Sequence, residues 1–241
     1  RPPRSTQGVS SAASDVYKRQ IEWRAFIVDV PLFESFEHKI NSAHTALVVV
    51  DMQNDYLANG GFFDEIGHSL EEMQTMTPRV GDLIDLALSF WVSIVWTRNS
   101  YDPVFMGSSQ KERTSRRGED KVPAQSGTWG QEFYKIQPES GDIIIEKHRF
   151  DAFEGTNLDV ILKSNGIHTL LMTGVTTECC VQSTARRGFF LGYYIVLVED
   201  CVSTYEPSFQ EYTKRLIVDY FGVVSNAEEI QSAWTTPVSK G

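Results

Sequence analysis

The chain has 241 residues, 22 Lys+Arg against 32 Asp+Glu for a net charge of −10, and 41% hydrophobic residues. That is enough apolar material for one sizeable core, and the charge argues against a broad basic face for nucleic acid. No run approaches the roughly 18 apolar residues of a membrane span, and three cysteines, at 179, 180 and 201 with two adjacent, rule out a secreted disulfide scaffold and predict a reducing, cytoplasmic compartment.

Residues 1–20 carry no amphipathic period and read as a disordered tail. Ser10–Gln20 (SSAASDVYKRQ) is also what a transposase-type sequencing adapter encodes, and Arg1–Thr6 looks like translated adapter as well. The segment has no apolar centre of a signal peptide and is left out of fold reasoning. Without it, 221 residues remain at net −13. Residues 21–44 form an N-terminal arm whose aromatics (Trp23, Phe26, Phe33, Phe36) could pack on the domain or on a neighbouring subunit.

Short apolar runs follow. They are Thr45–Val50 (TALVVV), Trp91–Trp96 (WVSIVW), Asp142–Ile145 (DIII), Thr169–Thr173 (TLLMT), Tyr193–Val198 (YYIVLV) and a weak sixth at Gly222–Val224. Runs apolar on both faces suit a parallel sheet covered on both sides. Between them, Val80, Leu83, Ile84, Ala87 and Leu88 keep the spacing of one buried helical face. Thr156 and Asp159 predict a capping box. Val181, Thr184, Ala185 and Phe189 share a second helical face, and Phe209, Tyr212, Leu216, Ile217 and Tyr220 a third. The alternation predicts one α/β domain, residues 45–241, with a doubly wound six-stranded sheet. Residues 99–137, rich in Ser, Gly, Lys, Arg and Gln, are an insertion of the kind that forms lids.

Ligands of such sheets bind at the carboxyl ends of strands. Asp51 ends the first run, Lys147 follows the third, and Cys180 opens the helix after the fourth. An acid, a base and a thiol there can make a nucleophilic site. A helix start and a nearby ammonium would lower the thiol pKa, and a carboxylate would take its proton. Singly, each residue has a plainer role: a cap, a solvated charge, a packing thiol.

Three stretches, Thr45–Tyr56 (TALVVVDMQNDY), Ile145–Phe150 (IEKHRF) and Thr173–Ala185 (TGVTTECCVQSTA), resemble the isochorismatase-like cysteine hydrolases. The resemblance implies a six-stranded parallel sheet with helices on both faces. It also implies hydrolysis of amide or ureido C–N bonds through a thioester, and assembly as a homodimer or homotetramer. Asp51 takes the place of the general base, Lys147 of its charged partner and Cys180 of the nucleophile. Gly174, Thr177, Cys180 and Val181 fit the family's Gly-x-x-Thr-x-x-Cys-Val frame, and Cys179 does not. A cis peptide at Val175-Thr176 is implied, with the amides of Thr176 and Cys180 forming the oxyanion hole. Cys201 reads as a packing thiol. No cofactor is expected, and no metal: Thr97–Asp102 (TRNSYD) lacks the His of the metal-binding relatives.

Within the family, Tyr56, Trp96, Asn99, Gly127–Gln131 (GTWGQ) and Arg186–Leu191 (RRGFFL) are most similar to the ureidoacrylate-cleaving members. That similarity implies a small-molecule ureido substrate held by Tyr56, Asn99 and Gln131 and walled by Tyr101, Trp129 and Phe150. Biuret, triuret and nicotinamide hydrolysis are the alternatives, and a non-catalytic binding module is the more distant one. Arg113, Arg116, Arg117 and Lys121 form a basic cluster that could receive a carboxylate. Neither nucleic acid nor membrane is an expected partner.

Overall fold

The computed structural model describes residues 32–118 and 121–235; the adapter-like segment and the first part of the arm, with Trp23 and Phe26, lie outside them. The chain divides into two units, Arg1–Glu34 and Ser35–Gly241, and everything below concerns the second. Residues 35–44 of the arm belong to this unit. A short helix, Phe36–Lys39, leads into Ile40, which is fully buried and whose carbonyl accepts the Trp234 Nε1–H at 2.6 Å.

Six strands form one parallel sheet: β1 Thr45–Val50, β2 Ser93–Asn99, β3 Ile143–Lys147, β4 Thr169–Val175, β5 Tyr194–Ser203 and β6 Gly222–Ser225. Their spatial order is β3-β2-β1-β4-β5-β6. Six main helices connect or cover them: α1 Glu71–Ser89, α2 Ser108–Arg116, α3 Leu158–Ser164, α4 Gln182–Phe190, α5 Pro207–Leu216 and α6 Ala227–Thr235. Among the described residues, no helix is long and apolar enough to cross a membrane.

The continuous apolar runs have a direct cause. Successive strand residues point to opposite faces, and both faces of β1 are covered. Leu47 and Val49 join Val80, Leu83 and Ala87 of α1 in one core, whereas Ala46, Val48 and Val50 join Leu158, Leu162 and Ala185 in the other. Strand order reverses direction between β1 and β4, so their carboxyl ends open a crevice at the switch point. Gly174 lets the two strands close up there. At φ 96° it pairs with Val50, and a Cβ would run into the Val50 backbone.

Several expectations need correction. Trp91, read as opening β2, is 92% exposed in the preceding turn, and β2 instead continues through the polar Thr97-Arg98-Asn99. Leu88 and Phe189 are exposed at the rims of otherwise buried faces. Thr156 Oγ1 accepts the Leu158 N–H, but no capping box forms, because the Asp159 carboxylate is drawn to Lys163 and the Tyr193 hydroxyl. The aromatic stripe of α5 is not core. Phe209, Tyr212 and Tyr220 are exposed, and burial falls on Thr213, Ile217 and Phe221. A π-turn at Ile217–Phe221 adds a residue to the turn, which brings Phe221 rather than Tyr220 to the buried face.

Candidate active site

The site is assembled from neighbouring strand ends. Asp51 directly follows β1, is fully buried, and takes a left-handed conformation at φ 50°. Thr97 and Asn99 stand two residues apart on β2, hence on one face. Thr97 Oγ1 donates to Asp51 Oδ1 at 2.7 Å, and Asn99 Nδ2 donates to Asp51 Oδ2 at 2.7 Å. The β2–β3 register pairs Asn99 with Lys147. The Lys147 ammonium, also fully buried, lies 2.8 Å from Asp51 Oδ2 and 2.7 Å from Asn99 Oδ1, with the carbonyls of Arg149 and Phe150 at 3.0 and 3.3 Å.

Asn99 therefore joins the ion pair at both ends of its amide. The oxygen faces the ammonium and the nitrogen the carboxylate, an orientation the charges dictate. The same Nδ2 lies 3.1 Å from Tyr56 Oη and 3.8 Å from Cys180 Sγ. Gln53 braces it from behind: its Oε1 accepts the Asn99 N–H at 2.8 Å, and its Nε2 donates to the carbonyls of Asn99 and Gln131. A buried charge pair persists only when its remaining hydrogen-bonding capacity is filled, and here it is.

Cys180 lies in a π-turn, Thr177–Val181, that runs from β4 into α4. The Val175-Thr176 peptide before that turn is cis. The thiol is 7% exposed, at the floor of a cavity of about 560 Å³. Asp51, Tyr56, Asn99, Tyr101, Phe150 and Thr176 also line it. Two of the predicted pocket residues do not. Trp129 is 51% exposed beside a separate depression, because its 3₁₀ turn is tied down by Asn54 donating to the Trp129 carbonyl. Gln131 is buried behind Asn99, its Oε1 accepting the Gly127 N–H and its Nε2 3.4 Å from the Asn99 carbonyl.

Sequence reasoning missed Thr97, although its two-residue offset from Asn99 marks it as a neighbour. It also missed Gln53 as a brace. Tyr101 was expected as a wall, yet its hydroxyl is buried with no hydrogen-bond partner among the described residues. Burial, and next the charge of Cys180, push its pKa well above the usual phenol range. Glu178, two residues before Cys180, also lines the cavity, its Oε2 buried and without a hydrogen-bond partner among the described residues.

The electrostatics reverse one expectation. A side-chain hydrogen bond with Cys179, together with burial, pushes the Cys180 thiol well above its ordinary range; Lys147 opposes this and Asp51 reinforces it. For Lys147, burial lowers the pKa, but Asp51 and Cys180 outweigh it and the ammonium is held more firmly. Burial and the Cys179 hydrogen bond thus favour the protonated thiol, against the pull of Lys147. We expect iodoacetamide to alkylate Cys180 with a pH midpoint above the free-cysteine value of about 8.5. Asp51→Asn removes a charge that raises the thiol pKa and frees Lys147 to act on sulfur, so the midpoint moves down. A wild-type midpoint well below 8.5 would contradict this electrostatic account.

Residues 45–229 match the family described as the Isochorismatase domain. The chain belongs to the isochorismatase family. This family member is similar to curated relatives named ureidoacrylate amidohydrolase RutB. It is 35% identical to that of Yersinia enterocolitica serotype O:8 / biotype 1B over 199 residues, 76% of this chain and 86% of the relative. It is 32% identical to that of Enterobacter sp. (strain 638) over 208 residues, 80% and 90% of the two chains. Among solved structures, a cysteine hydrolase from Pseudomonas syringae pv. phaseolicola 1448A superposes with a TM-score of 0.72 at 20% identity, covering 86% of this chain and 98% of that one, which speaks to the fold alone. N-carbamoylsarcosine amidase from Thermoplasma acidophilum gives a TM-score of 0.61 at 28% identity, covering 77% and 97%.

Proposed function

We propose that this isochorismatase-family member is a cysteine amidohydrolase that cleaves the C–N bond of a small ureido acid of the ureidoacrylate type. The observation that carries the reading is the buried Asp51–Asn99–Lys147 cluster set against the Cys180 thiol at the floor of a closed-in cavity. Its support is the naming of the relatives at 32–35% identity.

In the proposed reaction Asp51 accepts the thiol proton as Sγ forms a bond to the terminal carbamoyl carbon. The carbonyl π electrons move to oxygen, and the amides of Thr176 and Cys180 receive that oxyanion. Collapse breaks the C–N bond, and the proton on Asp51 goes to the departing amine. Water, deprotonated by Asp51, attacks the thioester, releases carbamate and restores the thiol. Lys147 stays protonated throughout and keeps its hydrogen bond to Asp51 between proton transfers. A base locked in place by three donors suits proton removal coupled to attack.

Cytoplasmic location and self-association as a homodimer or homotetramer belong to the same proposal. All three cysteines are free thiols, and exposed Phe189, Phe190 and Tyr220 gather around Phe221. The test of the function is ammonia release over ureidoacrylate, biuret, triuret, nicotinamide and N-carbamoyl amino acids. We expect ureidoacrylate to exceed the others in kcat/KM by about tenfold or more, the scale of one charge-assisted contact. A higher value for nicotinamide or biuret would overturn the substrate reading, and no turnover at all would leave a binding module.

A further inference from the structure

We propose that Arg113, on the helix of the insertion, is the specificity residue that receives the carboxylate of the substrate. The inference rests on the ureido-acid reading above and adds to it the residue that selects the acid.

Helix α2 lies over the mouth of the cavity, and its period decides which side chains look in. Gln110, Arg113 and Thr114 line the cavity, and Arg117 follows one turn on. Two other members of the basic cluster are paired elsewhere. Arg116 pairs with Glu112 at 2.9 Å, and Lys121 pairs with Glu65 at 3.0 Å. Arg113 has no carboxylate within ion-pair distance among the described residues; its guanidinium stands 5.6 Å from the centroid of the Phe150 ring. In a chain of net charge −10, a cation that lines a cavity and has no ion pair among the described residues is available to an anion.

The same cavity holds that cation and the thiol, with Phe150 and Tyr101 in its wall. The Phe150 ring meets Tyr101 edge-on at 6.3 Å, and the Tyr101 hydroxyl, buried and unpartnered, lies in the electrostatic field of Cys180. A ureido acid laid along the wall has its carbamoyl group at the sulfur, a polar atom for the Tyr101 hydroxyl, and its acid at the guanidinium.

The experiment compares 3-ureidoacrylate with its neutral methyl ester in the wild type, Arg113→Gln and Arg113→Lys. Arg113→Gln should raise KM for the acid by about tenfold or more, as for loss of a charge-assisted hydrogen-bonded pair. It should leave kcat for the acid, and both constants for the ester, within about twofold, the scatter expected of a surface change. Arg113→Lys keeps the charge without the bidentate fork and should fall between the two. Equal changes for acid and ester, or none, overturn the role of Arg113 while the amidohydrolase reading stands. Wild-type inactivity on both compounds overturns that reading and this proposal with it.

Discussion

Lys147→Met should abolish turnover and cost about 3–5 kcal/mol of stability, the range for removing one partner of a buried ion pair. The substitution nearly conserves volume, so packing contributes little. What is left is an Asp51 carboxylate, fully buried, that keeps Thr97 and Asn99 but has lost its cation. Asn99 Oδ1 loses its donor in the same step. Urea unfolding reads the loss. The double variant Asp51→Asn/Lys147→Met removes both charges and should recover part of the stability while remaining inactive. Unchanged stability in the single variant would mean that Asp51 is relieved of its charge by some route the geometry does not contain.

The second large effect separates two adjacent thiols. Cys180→Ala should lower kcat by about 10⁴-fold or more, as loss of a nucleophile does in hydrolytic triads. Cys179→Ala should keep most of it. The structure gives the two residues different surroundings: Cys180 lies 3.8 Å from Asn99 Nδ2 in the field of Asp51 and Lys147, whereas Cys179 is partly exposed on the cavity wall. Cys179 is not inert, because its hydrogen bond helps raise the Cys180 pKa. Its removal should therefore move the pH midpoint of Cys180 alkylation down rather than remove activity. Loss of turnover in Cys179→Ala with activity kept in Cys180→Ala would exchange their roles.

The parts of this arrangement legible in the sequence are those that depend on local pattern. TALVVV spells a strand buried on both faces, and the strand reads directly onto Asp51 at its end. Lys147 and Cys180 follow from the same rule about strand ends. Pairings across strands were less legible. Asn99 was expected to hold a ureido group, but the β2–β3 register sets it opposite Lys147 and uses both ends of its amide on the ion pair and Tyr56. Trp129 and Gln131 sit in a 3₁₀ turn inside a long loop, where no period tells inside from outside. The thiol pKa depends on ångström distances among four groups, and the sequence carries only their identities. The position of α2 over the cavity is likewise a tertiary fact; its Ser, Lys and Arg content alone reads as a solvated face.

The most direct measurement is acid quench of the wild-type enzyme turning over a ureido acid, followed by peptide mass analysis. Covalent catalysis through Cys180 predicts one carbamoyl group on the peptide that contains Cys179 and Cys180, with fragmentation placing it on Cys180. The same adduct should form in Cys179→Ala and be absent in Cys180→Ala. Active enzyme with no adduct under any quench time, or an adduct on Cys179, would contradict the account.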